Sequence, residues 1–305
     1  MAPVRLDPPE RLVRAVVSRE GGAGLPWLES LPGLVQEYLE RWELEPERVQ
    51  APGGRTGMVV LVRLADGGQA ALKVCRVTPE TALEHRALEH WDGRGAVRLL
   101  RCDPAAGALL LERLRGDVTL RSLPEPKALL EAAGVLQRLW TPLEEGHPFT
   151  SVADRTAGGA EELAARRGQP WAEEVGGLVD EALRTRSSLL SEPAEEVLLH
   201  GDFHQGNVLA GSRAPWLAIG PEPLAGERAY DLARLARDRL DTLAASPGPR
   251  AEVRRRITKL AASLDVAPER LRGWALWRSV EAGVRSLAAG DREDGELLLE
   301  FASRL

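Results

Sequence analysis

The 305 residues predict an α+β fold in which a small antiparallel sheet carrying one helix precedes a larger, mainly helical part. Three observations predict it. Apolar and β-branched runs joined by Gly-, Asp- and Pro-containing turns, the grammar of hairpins, are concentrated between residues 51 and 114. From Lys127 onward apolar residues recur instead at three- and four-residue spacings. One apolar, polar, apolar stretch, Leu198 to Leu209, interrupts the helical half and sets Asp202, Asn207 and two of the five histidines on a turn between buried anchors.

In chain order, residues 1–25 are Pro- and Gly-rich without a sustained period and predict a loosely attached lead-in with a short helix over 9–19. Leu28, Leu31, Leu34, Val35, Tyr38, Leu39 and Trp42 form one helical stripe beginning at Pro26. The turn containing Gly53, Gly54, Thr56 and Gly57 enters a strand over 58–64, and missing Cβ atoms there leave room for backbone N–H groups to approach phosphates. Asp66, Gly67 and Gly68 turn the chain into a second strand, 69–74, ending at Lys73 and Val74. A helix over 79–91 carries Glu84 in its early turns. Residues 96–102 and 108–114 make a second hairpin, and Gly116 and Pro124 mark the change to helical grammar.

Leu129, Leu130, Ala133, Leu136, Leu139 and Trp140 predict the next helical stripe, followed by a loop over 141–150 with His147 at the surface, and helices over 157–167 and 171–190. A buried strand then leads into the polar turn. Beyond it, 208–210 and 216–219 form a hairpin that returns Gly220 toward that turn, and helices follow over 229–243, 250–264, 268–289 and 293–305. The division expected is residues 1–114, a sheet-bearing lobe with its leading helix, and 115–305, a helical lobe.

Composition narrows the function. A net charge of −6 argues against a nucleic-acid partner and suits a cationic small molecule. No run approaches a membrane span and the start lacks the order of a secretory signal, so a cytoplasmic protein without a membrane partner is expected. Cys75 and Cys102 are too few for a disulfide framework and are expected as core thiols. Lysine occurs only at 73, 127 and 259 in an arginine-rich chain, which marks Lys73 as a place where a compact ammonium is wanted.

The chemistry lies in His200-Gly201-Asp202-Phe203-His204-Gln205-Gly206-Asn207. Phosphoryl transfer needs a carboxylate for the hydroxyl's proton and an oxygen ligand for Mg²⁺ a fixed distance on, and Asp202 and Asn207 stand in that relation. His-Gly-Asp-x-His-x-Gly-Asn resembles the catalytic loop of aminoglycoside phosphotransferases, relatives of protein kinases. Pro215 to Gly226 followed by Tyr230-Asp231-Leu232 is similar to the streptomycin 6-phosphotransferase and hydroxyurea phosphotransferase branch.

The resemblance implies a protein-kinase-like two-lobe fold and ATP-dependent phosphorylation of an aminoglycoside hydroxyl, conferring resistance. It implies Asp202 as base and Asn207 as metal ligand. It implies Lys73 on the ATP phosphates, oriented by Glu84, with Gly53, Gly54, Thr56 and Gly57 nearby and Glu112 and Leu114 at the adenine. His200 and His204 would stiffen the loop, and Asp231 would brace it through backbone N–H groups. Trp274, Trp277 and Glu281 are expected among acceptor contacts. One departure matters: Gly220 occupies the position where the family has the Asp that holds Mg²⁺, and Glu222, two residues on, is the available substitute. The alternative function is therefore a nucleotide-binding pseudokinase of the same fold. A competing reading takes His200, Asp202 and His204 as hydrolase metal ligands, but Gly201 and Gly206 argue against the helix it needs.

Overall fold

A computed structural model describes residues 4–167, 169, 175–192 and 194–305. The chain divides into two compact units, Met1–Ser122 with Leu209–Glu222, and Leu123–Val208 with Pro223–Leu305.

The first unit is built on a five-stranded antiparallel sheet, ordered β1 (Glu45–Val49), β2 (Gly57–Arg63), β3 (Gln69–Cys75), β5 (Ala108–Glu112) and β4 (Leu99–Asp103). β2 and β3 form the expected hairpin, with Val60 opposite Leu72 and Val59 opposite Lys73. One face of this sheet packs on α1 (Glu10–Glu20) and α2 (Leu25–Arg41). The lead-in is not loosely attached: Leu12 and Val16, one helical turn apart, are buried with Leu31, Val35 and Met58. β1 was not expected, because Glu45, Pro46, Glu47 and Arg48 read as a polar connection. Charge and proline are what an edge strand carries to avoid further pairing. α3 is shorter than expected, Glu84–Trp91, since Thr81 ties a preceding turn to the Arg76 carbonyl at 2.5 Å.

A second sheet of this unit has the order β6 (Arg115–Thr119), β8 (Val208–Ala210) and β9 (Trp216–Ala218). β6 stands where strand grammar was expected to give way. Cys75 is buried, but Cys102 on β4 is only half-buried, so the second thiol is not a core residue.

The second unit is helical around a short antiparallel pair, β7 (Val197–Leu199) with β10 (Leu224–Gly226). Its helices are α4 (Glu125–Leu139), α5 (Val152–Arg166), α6 (Gly176–Ser191), α7 (Arg228–Ala236), α8 (Leu240–Ala244), α9 (Pro249–Ser263), α10 (Pro268–Ala288) and α11 (Arg292–Ser303). α5 starts earlier than its apolar spacing indicates because Ser151 caps it, accepting the Asp154 N–H at 3.0 Å. On α4, Leu130 is exposed, and the buried face is completed by Ala128, Ala132 and Val135. His147 is half-buried against Phe149. Residues 171–174, at the expected start of the helix before the polar turn, lie outside the described residues. α10 is the central helix, burying Trp274, Trp277 and Val280. The single helix expected over 229–243 is two, broken where Arg239 takes φ 53°.

Candidate active site

The residues singled out by sequence fall into two groups, one in each unit. In the first unit β3 carries Lys73 inward and α3 presents Glu84 from its first turn. The ammonium meets both carboxylate oxygens, at 2.7 and 2.6 Å, with both side chains nearly inaccessible to water. Burial opposes the ammonium's charge most strongly, but the charge and hydrogen bonds of Glu84 together with Cys75 hold the Lys73 pKa above its ordinary value. The Glu222 carboxylate acts on Lys73 in the same direction.

The Gly-rich turn has a structural duty. A Cβ on Gly57 would lie 2.7 Å from the Val74 carbonyl oxygen and 2.8 Å from the Cys75 Cβ, so glycine is required there by the pairing of β2 with β3. Gly53, Gly54 and Thr56 precede it in the loop between β1 and β2. The Glu112 carboxylate is engaged by Arg213, at 2.6 Å, and by the Arg98 N–H, at 2.7 Å. Its own N–H is given to the Arg98 carbonyl at 2.9 Å, so a base edge could use neither group without displacing these bonds. Leu114 lies in the two-residue step between β5 and β6.

In the second unit the polar turn is held from below. Asp231, fully buried in the first turn of α7, accepts the His200 N–H at 2.8 Å and the Gly201 N–H at 2.7 Å. The Trp140 indole donates to it at 3.2 Å. A carboxylate near a helix N-terminus is electrostatically favoured, so this anchor costs little to bury. Replacing Asp231 by Ala strips two buried N–H groups of their acceptor, at about 1–3 kcal/mol each. Urea unfolding is expected to show a loss of roughly 2–6 kcal/mol, with slope m unchanged.

Asp202 sits above this anchor with about a third of its side chain exposed. Arg234 on α7 donates Nε–H to Oδ1 at 3.0 Å. Asn207 donates its amide to the Asp202 carbonyl at 3.0 Å and to Oδ2 at 3.2 Å. The amide nitrogen being spent inward leaves its oxygen for a ligand. His204 accepts the Gly206 N–H at Nδ1, 3.0 Å, which keeps its ring proton on Nε2, 3.6 Å from Asp202 Oδ2. Burial would raise the Asp202 carboxyl, but Arg234, His204, Arg278 and His200 together hold it well below the ordinary carboxylate range. His200 turns into the core, edge-on to Phe203 with ring centres 5.5 Å apart. The turn is not an α-helix, so the His200, Asp202, His204 metal triad does not form, and no cluster of three or more metal-ligating side chains exists among the described residues.

Besides Arg239, which bonds the Gln205 side chain, three residues bond the backbone or the carboxylate of this turn and escaped sequence reasoning. Asp238 accepts the Gln205 N–H at 2.6 Å, Arg278 reaches the Gly201 carbonyl at 2.8 Å, and Arg234 grips Asp202. A signal existed for two of them: Asp231, Arg234 and Asp238 recur at helical spacings of three and four. Of the expected acceptor contacts, Trp274 is fully buried and gives its N–H to Glu227 at 2.5 Å. Trp277 is also fully buried, under the Arg186 guanidinium. Glu281 is bound by Arg285 at 2.9 Å and keeps about a fifth of its side-chain surface exposed.

Gly220 adopts φ 63°, and a Cβ placed on it would meet nothing within 4 Å. The position offers space but no side-chain ligand atom.

The chain was compared with known proteins. The family model described as aminoglycoside/hydroxyurea antibiotic resistance kinase matches residues 41–290. The chain is 35% identical over 304 residues to a streptomycin 6-kinase of Streptomyces glaucescens, covering 97% of this chain and 94% of that one. It is 41% identical over 305 residues to a hydroxyurea phosphotransferase of Kitasatospora aureofaciens, covering 95% and 82%. Among solved structures, aminoglycoside phosphotransferase APH(4)-Ia superposes with a TM-score of 0.63 at 19% identity, over 89% of this chain and 97% of the other. The choline kinase LicA from Streptococcus pneumoniae does so at 0.62 and 14%, over 89% and 96%. These last two share the fold.

Proposed function

The chain belongs to the aminoglycoside/hydroxyurea antibiotic resistance kinases and is a phosphotransferase, and we propose that it phosphorylates a hydroxyl of an aminoglycoside with ATP, streptomycin at its 6-hydroxyl being the leading acceptor. The observation that carries the reading is the braced loop. It presents one carboxylate, kept ionised by Arg234 and oriented by Asn207, on a backbone fixed by Asp231. Such a group accepts a hydroxyl proton as the acceptor oxygen bonds to the γ-phosphorus and the bond to the ADP oxygen breaks. Residues 1–114 would handle the nucleotide through Lys73, and 115–305 the proton transfer and the acceptor. Glu281 is the acid available to a cationic sugar.

The residues present fit a magnesium ion carried mainly by the nucleotide. Asn207 offers one neutral oxygen and Gly220 none, whereas Mg²⁺ prefers one or two carboxylates alongside phosphates and water. When bound, the ion would neutralise charge on the phosphates. Gly220 also favours a second reading, a nucleotide-binding protein that transfers no phosphate.

One experiment separates the two. Purified protein with ATP, Mg²⁺ and either streptomycin or hydroxyurea is assayed for ADP in step with phosphorylated drug by mass spectrometry. Product from streptomycin supports the first reading and product from hydroxyurea alone reassigns the acceptor. ATP-induced thermal stabilisation with no product from either selects the second. In every case Lys73→Met is expected to abolish the stabilisation by ATP, because it removes the phosphate's cation and leaves Glu84 as an unpaired buried charge.

A further inference from the structure

Asp202 is gripped from two sides. Arg234 Nε lies 3.0 Å from Oδ1 and the Asn207 amide 3.2 Å from Oδ2, so the plane of the carboxylate is set by two donors on opposite oxygens. Asn207 belongs to the same loop and moves with it. Arg234 does not: it comes from α7, whose first turn also carries Asp231, the loop's anchor. Its side chain is four-fifths buried, and its Nη1 lies 3.9 Å from Asp238, whose other oxygen holds the Gln205 N–H. The loop is thus tied to α7 and the residues just after it at four points, Asp231, Arg234, Asp238 and Arg239, and of these Arg234 alone touches the reacting carboxylate.

We propose that Arg234 is the positioning residue for Asp202, turning its carboxylate so that the lone pairs left unshared face the acceptor hydroxyl. The proposal deepens the phosphotransfer reading and depends on it for the role of Asp202, not for the contact. A carboxylate held only by Asn207 would rotate about its own bonds, and a base displaced by an ångström loses rate on the order of 10²-fold. Lysine cannot replace the guanidinium here, since a point charge supplies attraction without a fixed plane.

The charged and titratable groups that face Asp202 are Arg234, Arg237 beyond the end of α7, Arg278 on α10, and the imidazoles of His200 and His204 of its own loop. Removing Arg234 removes the nearest guanidinium. Arg234→Gln and Arg234→Lys are therefore followed in two ways. The first is the crystal structure of each variant, which needs no turnover: the Asp202 carboxylate is expected to leave its wild-type plane in both, while the Asp231 and Asp238 bonds to the loop persist. The second is turnover: kcat is expected to fall roughly 10–100-fold in both variants, with the acceptor KM within about threefold of wild type.

An Asp202 carboxylate that keeps its wild-type plane in both variants overturns the proposal. So does a kcat equal to wild type in both variants, and so does a loss confined to KM. If wild type makes no phosphorylated product, the phosphotransfer reading fails, while the variant structures still decide whether Arg234 sets the plane of the Asp202 carboxylate. Should the Gln variant fail to fold, the Lys variant carries the kcat test alone.

Discussion

Asp202→Asn is expected to lower kcat by about 10²–10⁴-fold while leaving thermal stabilisation by ATP intact. The substitution keeps the size of the side chain but removes the only carboxylate that the loop presents between Arg234 and Asn207. The pH dependence gives an independent check. Asp202 has a folded pKa below its ordinary value of 3.8, so the stability it contributes is present above that value and is lost only as pH falls through the lower, folded one. Between about pH 5 and 8 the wild-type carboxylate stays charged, and no acid limb of kcat above about pH 4 belongs to it. An acid limb near neutrality that vanished in an otherwise active Asp202→Asn variant would overturn this assignment.

The parts of the protein that sequence displays well are those whose partners are close in the chain. Lys73 and Glu84 are eleven residues apart and meet as expected, because a hairpin and the next helix bring them together with little freedom. Asp202 and Asn207 lie on one turn and bond directly. Hidden elements have distant partners. β6 pairs with β8, and β10 with β7, across long separations, and strands of three to five residues carry too little periodicity to announce themselves. Helix 229–243 looks continuous in sequence, yet it breaks at Arg239, whose side chain reaches Gln205 at 2.8 Å and the Leu123 carbonyl at 3.0 Å. Tertiary bonds there outweigh the cost of a left-handed residue. Arginine is so frequent in this chain that Arg234 and Arg278 carry no compositional mark, although both bond to the loop.

On the proposed phosphotransfer reading Gly220→Asp is expected to raise kcat, by about 10–10³-fold, since a carboxylate restored for the metal at the reacting phosphates is among the largest contributions a site can add. The backbone admits it. Nothing lies within 4 Å of the new Cβ, and the left-handed φ of 63° costs an Asp less than the roughly 1–2 kcal/mol that most residues would lose. Mg²⁺ should then strengthen ATP binding, seen as a larger thermal shift with the metal than without it. Gly220→Asn separates charge from shape: it shares the conformational tolerance but not the negative charge, and little gain is expected from it.

Glu222 is the rival source of that charge, and its carboxylate already acts on Lys73. Gly220 bends the segment out of the extended form in which residues two apart face the same way, and Pro221 and Pro223 stiffen the chain on either side of Glu222. Glu222→Gln is therefore expected to change wild-type kcat by less than about threefold, within the range of a partly exposed charge acting at a distance. If instead Glu222→Gln abolished turnover and Gly220→Asp added nothing, Glu222 would be the acid that serves the phosphates. The chain would then have moved its carboxylate two positions along the same loop.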